Sequence, residues 1–124
     1  MTSSAPFGFQ LDADVSGLPP DALKSRSSVE SFLDDLVKSI GMFEFMAVGM
    51  KRQLRFYGDT PDIEGWTAFV PLTTSSIVMH TSPVRQALFL SVFSCDSFDP
   101  EDVRGTLRLY FGRDIRVKDR FFER

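Results

Sequence analysis

One cysteine, one histidine and one tryptophan stand among the 124 residues. A single thiol closes no internal disulfide, and one Cys with one His cannot complete a four-ligand zinc site, so a metal centre is not expected. Long apolar runs are also missing; none nears the roughly 18 residues of a membrane helix. The opening MTSSAPFGFQ has no basic-then-apolar leader. A reducing, cytoplasmic setting with no membrane partner is the expectation. Excess positive charge is lacking too: the net charge of −3 argues against a dedicated nucleic-acid binder.

What is present suffices for a core. The chain is 43% hydrophobic and carries thirteen Phe, which excludes global disorder. Its length suits one domain over residues 1–124, with 1–6 expected to be flexible. Charge is uneven. Residues 1–50 hold seven acids against three bases, and residues 104–124 hold seven bases against three acids. The plain reading of the basic tail is a solvated final strand; phosphate, RNA or the acidic half of a neighbouring copy are the alternatives.

Two helices are legible. Ser27 with Glu30 reads as a capping box, and Val29, Phe32, Leu33, Leu36, Val37 and Ile40 recur on one helical face until Gly41. The second opens with Asp99 and Pro100, carries Glu101 and Asp102 at the positive end of its dipole, and stops at Gly112. Strands are expected over Phe7–Val15, Met42–Val48, Gln53–Tyr57, Trp66–Leu72, Ile77–Met79, Ala87–Cys95 and Asp114–Lys118. The order predicts an α+β two-layer sandwich: a mainly antiparallel sheet with both helices on one face. Leu88, Leu90 and Val92 should face the helices, while Ala87, Phe89, Ser91, Phe93 and Cys95 line the other side. That aromatic second face calls for a partner, and a sheet-to-sheet homodimer is the expectation.

The chemistry-bearing residues concentrate in two short segments, residues 73–83 and 93–95. They gather Ser75, His80 and Cys95 at spacings of five and fifteen. Each alone is unremarkable, since a lone strand His or a buried Cys is usually structural. In a regular strand Ser75 and His80 also point to opposite faces, roughly 16 Å apart, so their cooperation demands a kink or bulge.

Taken together, the spacing resembles the short bacterial and archaeal S-adenosylmethionine decarboxylase family. That family carries Glu-Ser-His-x-x-x-His-Thr-Trp-Pro-Glu and, further on, Phe-Thr-Cys. Here Thr74-Ser75-Ser76-Ile77-Val78-Met79-His80-Thr81-Ser82-Pro83-Val84 and Phe93-Ser94-Cys95 stand in their places. Gly8 to Asp14 resembles the family's opening strand, Gly65-Trp66-Thr67-Ala68 its approach to the Ser, and Asp99-Pro100 the start of its second helix; residues 51–64 look like an insertion. The resemblance implies self-cleavage of the Thr74–Ser75 bond and a pyruvoyl group derived from Ser75 that takes the substrate amine as a Schiff base. It also implies that His80 and Thr67 assist processing and that Cys95 protonates the product. The activity implied is decarboxylation of S-adenosylmethionine or a related amino acid in polyamine synthesis. The departures are Thr74 for Glu, Ser76 for His, Ser82 for Trp and Val84 for the Glu that receives the ribose hydroxyls. Val84 removes a partner for two hydroxyls, on the order of 1–3 kcal/mol per group, and so bears on substrate choice. Arg85 beside it is a candidate carboxylate receptor. The same departures motivate the alternative, an unprocessed homologue acting as a ligand-binding or regulatory subunit.

Overall fold

A computed structural model describes residues 5–42 and 51–124. Six strands form one sheet: β1 (Phe9–Ser16), β2 (Gln53–Tyr57), β3 (Gly65–Leu72), β4 (Ser75–Ser82), β5 (Ala87–Ser94) and β6 (Arg116–Glu123). Their spatial order is β2-β3-β4-β5-β1-β6, and every neighbouring pair is antiparallel. Helices α1 (Arg26–Ser39) and α2 (Pro100–Phe111) cover one face. This is the α+β two-layer arrangement expected from the sequence. No helix among the described residues is long and apolar enough to cross a membrane.

Alternation builds the core. Leu11, Ala13 and Val15 of β1, Ala68 and Val70 of β3, Ile77 and Met79 of β4, and Leu88, Leu90 and Val92 of β5 are all buried beneath the helices. From above come Val29, Phe32, Leu33 and Leu36 of α1 with Val103, Leu107 and Phe111 of α2. Phe32 sits at the seam, its ring 5.3 Å from both Tyr110 and Phe111. The opposite face is left open by the described residues and carries Phe69, Val78, Phe89 and Phe93.

Three details differ from the sequence expectation. Helix α1 is capped by Ser25, not Ser27: Ser25 Oγ accepts the Ser28 N–H at 3.1 Å, and Ser28 Oγ accepts the Ser25 N–H at 3.2 Å. Ser28 closes the box with its own hydroxyl, which leaves Glu30 to pair with Arg26 one turn back. β4 runs from 75 to 82 rather than 77 to 79, because strands on both sides draw its polar ends into the ladder. β6 extends to Glu123 because β1 offers eight residues of edge, all of which it pairs. Residues 53–57, within the stretch that looked inserted, form the edge strand β2 with the expected bounds. The expected strand Met42–Val48 lies outside the described residues from position 43 onward.

Gly41 ends α1 as read: at φ 70° its N–H reaches the Lys38 carbonyl and the Met42 N–H reaches that of Val37. Asp99 caps α2 through the Glu101 N–H, 2.9 Å away.

Candidate active site

β3 turns into β4 through two residues, Thr73 and Thr74, so Ser75 is the first residue of β4 and lies opposite Leu72. On its other side Ser75 pairs with Ser94, the last residue of β5. Ser75 shares the parity of Ile77 and Met79 and therefore faces the helices. Its hydroxyl donates to Ser94 Oγ at 2.7 Å and lies 3.3 Å from Met42 Sδ, just past the end of α1. Ser94 is fully buried and also accepts the Asp96 N–H at 3.0 Å. Two hydroxyls thus satisfy each other at the margin of the core.

The Thr74 carbonyl accepts the backbone N–H of Cys95 at 3.0 Å, which ties the hairpin head to the end of β5. Thr74 itself is exposed, as is Cys95. Thr74, Ser75 and Cys95, singled out by sequence spacing, are therefore brought together.

Thr67 and His80 form a second group. They are partners across β3 and β4, with Thr67 Oγ1 3.1 Å from His80 Nδ1, and the imidazole stacks on Phe89 at 6.3 Å and 28°. This group lies on the open face. No bulge intervenes: β4 pairs residue for residue with β5 from Ser75 to Ser82. The structure therefore does not bring Ser75 and His80 together; they stay on opposite faces, roughly 16 Å apart along the strand. Arg85, on the β4–β5 turn, also belongs to the His80 end, with Val84 61% exposed beside it.

Sequence reasoning missed Ser94 and Met42 as the partners of Ser75. The signal was there for Ser94: it breaks the apolar series Leu88, Leu90, Val92 at an inward position. It also missed a polar trio on the open face, where Gln10 Nε2 donates to Asp12 Oδ1 (2.8 Å) and Ser91 Oγ (2.9 Å), and Ser91 donates to Asp12 (2.9 Å).

A family model for S-adenosylmethionine decarboxylase matches residues 10–124. The chain belongs to the S-adenosylmethionine decarboxylase family. A search of curated protein sequences returns no match. Among solved structures, the adenosylmethionine decarboxylase from Aquifex aeolicus VF5 superposes with a TM-score of 0.77 at 18% identity, over 98% of this chain and 92% of that one. At that identity the likeness speaks for the fold. The family's pyruvoyl group fits the residues present. Ser75 would supply the precursor hydroxyl and amide, the Thr74–Ser75 bond lies at an exposed turn, and β4 beyond it is held by β3 and β5 on either side.

Proposed function

We propose that this family member is a pyruvoyl-dependent decarboxylase that cuts its own Thr74–Ser75 bond and acts on S-adenosylmethionine or a related amino acid. One observation carries the reading: the carbonyl that the Ser75 hydroxyl must attack already accepts a backbone N–H, that of Cys95. A donor aimed at the oxygen on which negative charge develops is the oxyanion-hole arrangement, and removing such a donor typically costs about 10²–10³ in rate. Ser94 Oγ accepts the Ser75 hydroxyl and so restrains its rotation, which contributes orientation. The Cys95 thiol, on the same residue as the donor, is the proton source for the product. Formed at Ser75, a pyruvoyl group supplies an electron-withdrawing carbonyl in place of a bound cofactor. Two copies pair through their open faces, around Phe69, Val78 and Phe93.

Intact-mass measurement of the purified full chain tests this. Two fragments divided before Ser75 are expected, replaced by one full-length species in Ser75→Ala. A single full-length mass in the wild type, with no carbon dioxide released from S-adenosylmethionine, arginine or ornithine, overturns it.

The separation of His80 from Ser75 favours a second reading. Without an imidazole beside the hydroxyl, the chain stays whole and serves as a ligand-binding or regulatory relative. The same mass measurement decides between the two.

A further inference from the structure

Three consecutive residues at the end of β5 reach the turn that precedes Ser75. Ser94 Oγ accepts the Ser75 hydroxyl at 2.7 Å, and the Cys95 N–H meets the Thr74 carbonyl at 3.0 Å. These two contacts serve the cleavage proposed above. The third is made by Asp96, whose Oδ2 accepts the Thr74 hydroxyl at 3.4 Å, a long hydrogen bond on an exposed turn. Asp96 sits on a short bridge between two buried anchors. On one side its own N–H donates to Ser94 Oγ at 3.0 Å. On the other Phe98, 6% exposed, packs edge-on against Phe121 of β6 at 5.4 Å. A loop pinned at both ends holds its carboxylate in one place.

We infer that Asp96 is a positioning residue for the cleavage: its carboxylate holds the Thr74 side chain and so keeps the Thr74 carbonyl turned toward the Cys95 N–H. The inference rests on the self-cleavage reading. In that step Ser75 Oγ bonds to the Thr74 carbonyl carbon, the amide C–N bond breaks, and the hydroxyl proton passes to the amide nitrogen. The carbonyl must hold its direction throughout. Thr74 precedes the β4 ladder, which begins at Ser75, and water competes for the Cys95 N–H at so exposed a turn. A second tie on the same residue counters that competition. Thr74 is β-branched and stiff at χ1, so fixing its hydroxyl also restrains the backbone that carries the carbonyl. An ionised carboxylate is a stronger acceptor for that hydroxyl than a neutral oxygen. Its charge stands in solvent, where its repulsion of a developing oxyanion is screened.

A time course of intact mass after cell-free synthesis of the full chain tests the assignment. The variants are Thr74→Val, Asp96→Ala, the two together, and Asp96→Asn. Each of the first two should slow the appearance of the two fragments roughly threefold to tenfold, the worth of one partly exposed hydrogen bond. The pair should be no slower than the slower single variant, because both remove the same contact. Asp96→Asn keeps an oxygen acceptor and should recover most of the loss, which a role through charge would not allow. Thermal melts of Thr74→Val and Asp96→Ala, each placed in uncut Ser75→Ala, should coincide with that of Ser75→Ala alone, since both side chains are exposed. Single variants that mature at the wild-type rate, additive losses, or lowered melts that account for the slowing overturn the inference and leave the cleavage reading standing. An uncut wild type overturns both.

Discussion

At the scale of single residues, the proposed self-cleavage turns on the Thr74 carbonyl oxygen. Its donor belongs to the backbone of Cys95, so changing the side chain and removing the N–H are separable experiments. Cys95→Ser keeps the donor and should still yield two fragments by mass. Cys95→Pro removes it and should slow their appearance by about 10²–10³, with the thermal melt reporting that the fold persists. Gly65 is a second critical position for a different reason. A Cβ there would lie 1.9 Å from the Thr81 carbonyl oxygen, while the neighbouring Trp66 N–H is bound to Thr81 Oγ1 at 2.8 Å. Gly65→Ala must push β3 from β4 and is expected to cost about 1–3 kcal/mol in denaturant unfolding. The identities of Thr67, Thr74, Ser75, His80 and Cys95 were legible as residue types at a spacing. Their grouping was not, because it depends on whether a bulge resets the alternation between positions 75 and 80, and no bulge is present.

At the scale of elements, α2 is fixed to the sheet by charge and to α1 by a phenol. Arg104 Nε and Nη2 donate to the two oxygens of Asp119 on β6 at 2.6 and 2.9 Å, both side chains being largely buried. The hydrogen bond from Arg104 holds the Asp119 carboxyl below its usual range. A folded-state value lower than the unfolded one gives stability that is complete above about pH 4 and is lost as pH falls through the folded value. Asp119→Asn should therefore destabilise by about 1.5–3 kcal/mol at neutral pH, with the difference from wild type shrinking in acid denaturation below about pH 4. Tyr110 donates to Asp35 and to the Ser31 carbonyl on α1. The Asp35 hydrogen bond, with burial second, pushes its phenol up to about 12. A raised value protects the neutral form, so this link is intact below about pH 10 and lost as pH climbs toward 12. In an ultraviolet pH titration Tyr110 should ionise late, and Tyr110→Phe should remove that late step. The helix stops and the start of α2 were readable in advance, since Gly and Asp-Pro act locally. The ends of β4 and β6 were not, since a neighbouring strand's free edge sets them.

For the whole molecule, the described residues cover the sheet on one side only, and the charge asymmetry of the sequence finds an internal explanation. The basic final strand runs beside the acidic first one, with Arg120 opposite Asp12 and Lys118 opposite Asp14 on the open face. From β2 to β6 that row reads Gln53, Phe69, Val78, Ser91, Asp12 and Arg120, so two copies related by a two-fold axis can match apolar centres and exchange opposite charges. Sedimentation of the wild type is expected to give twice the chain mass and of Val78→Asp the chain mass; a monomeric wild type would refute the proposed pairing. Periods of 2 and 3.6 residues, read along the chain, determined by themselves which side chains enter the core, because burial of apolar area is a local pattern repeated. Only the tertiary structure decided that Ser75 turns inward to Ser94 while His80 looks outward to Phe89. Those outcomes depend on the register between strands distant in sequence, which no single segment encodes.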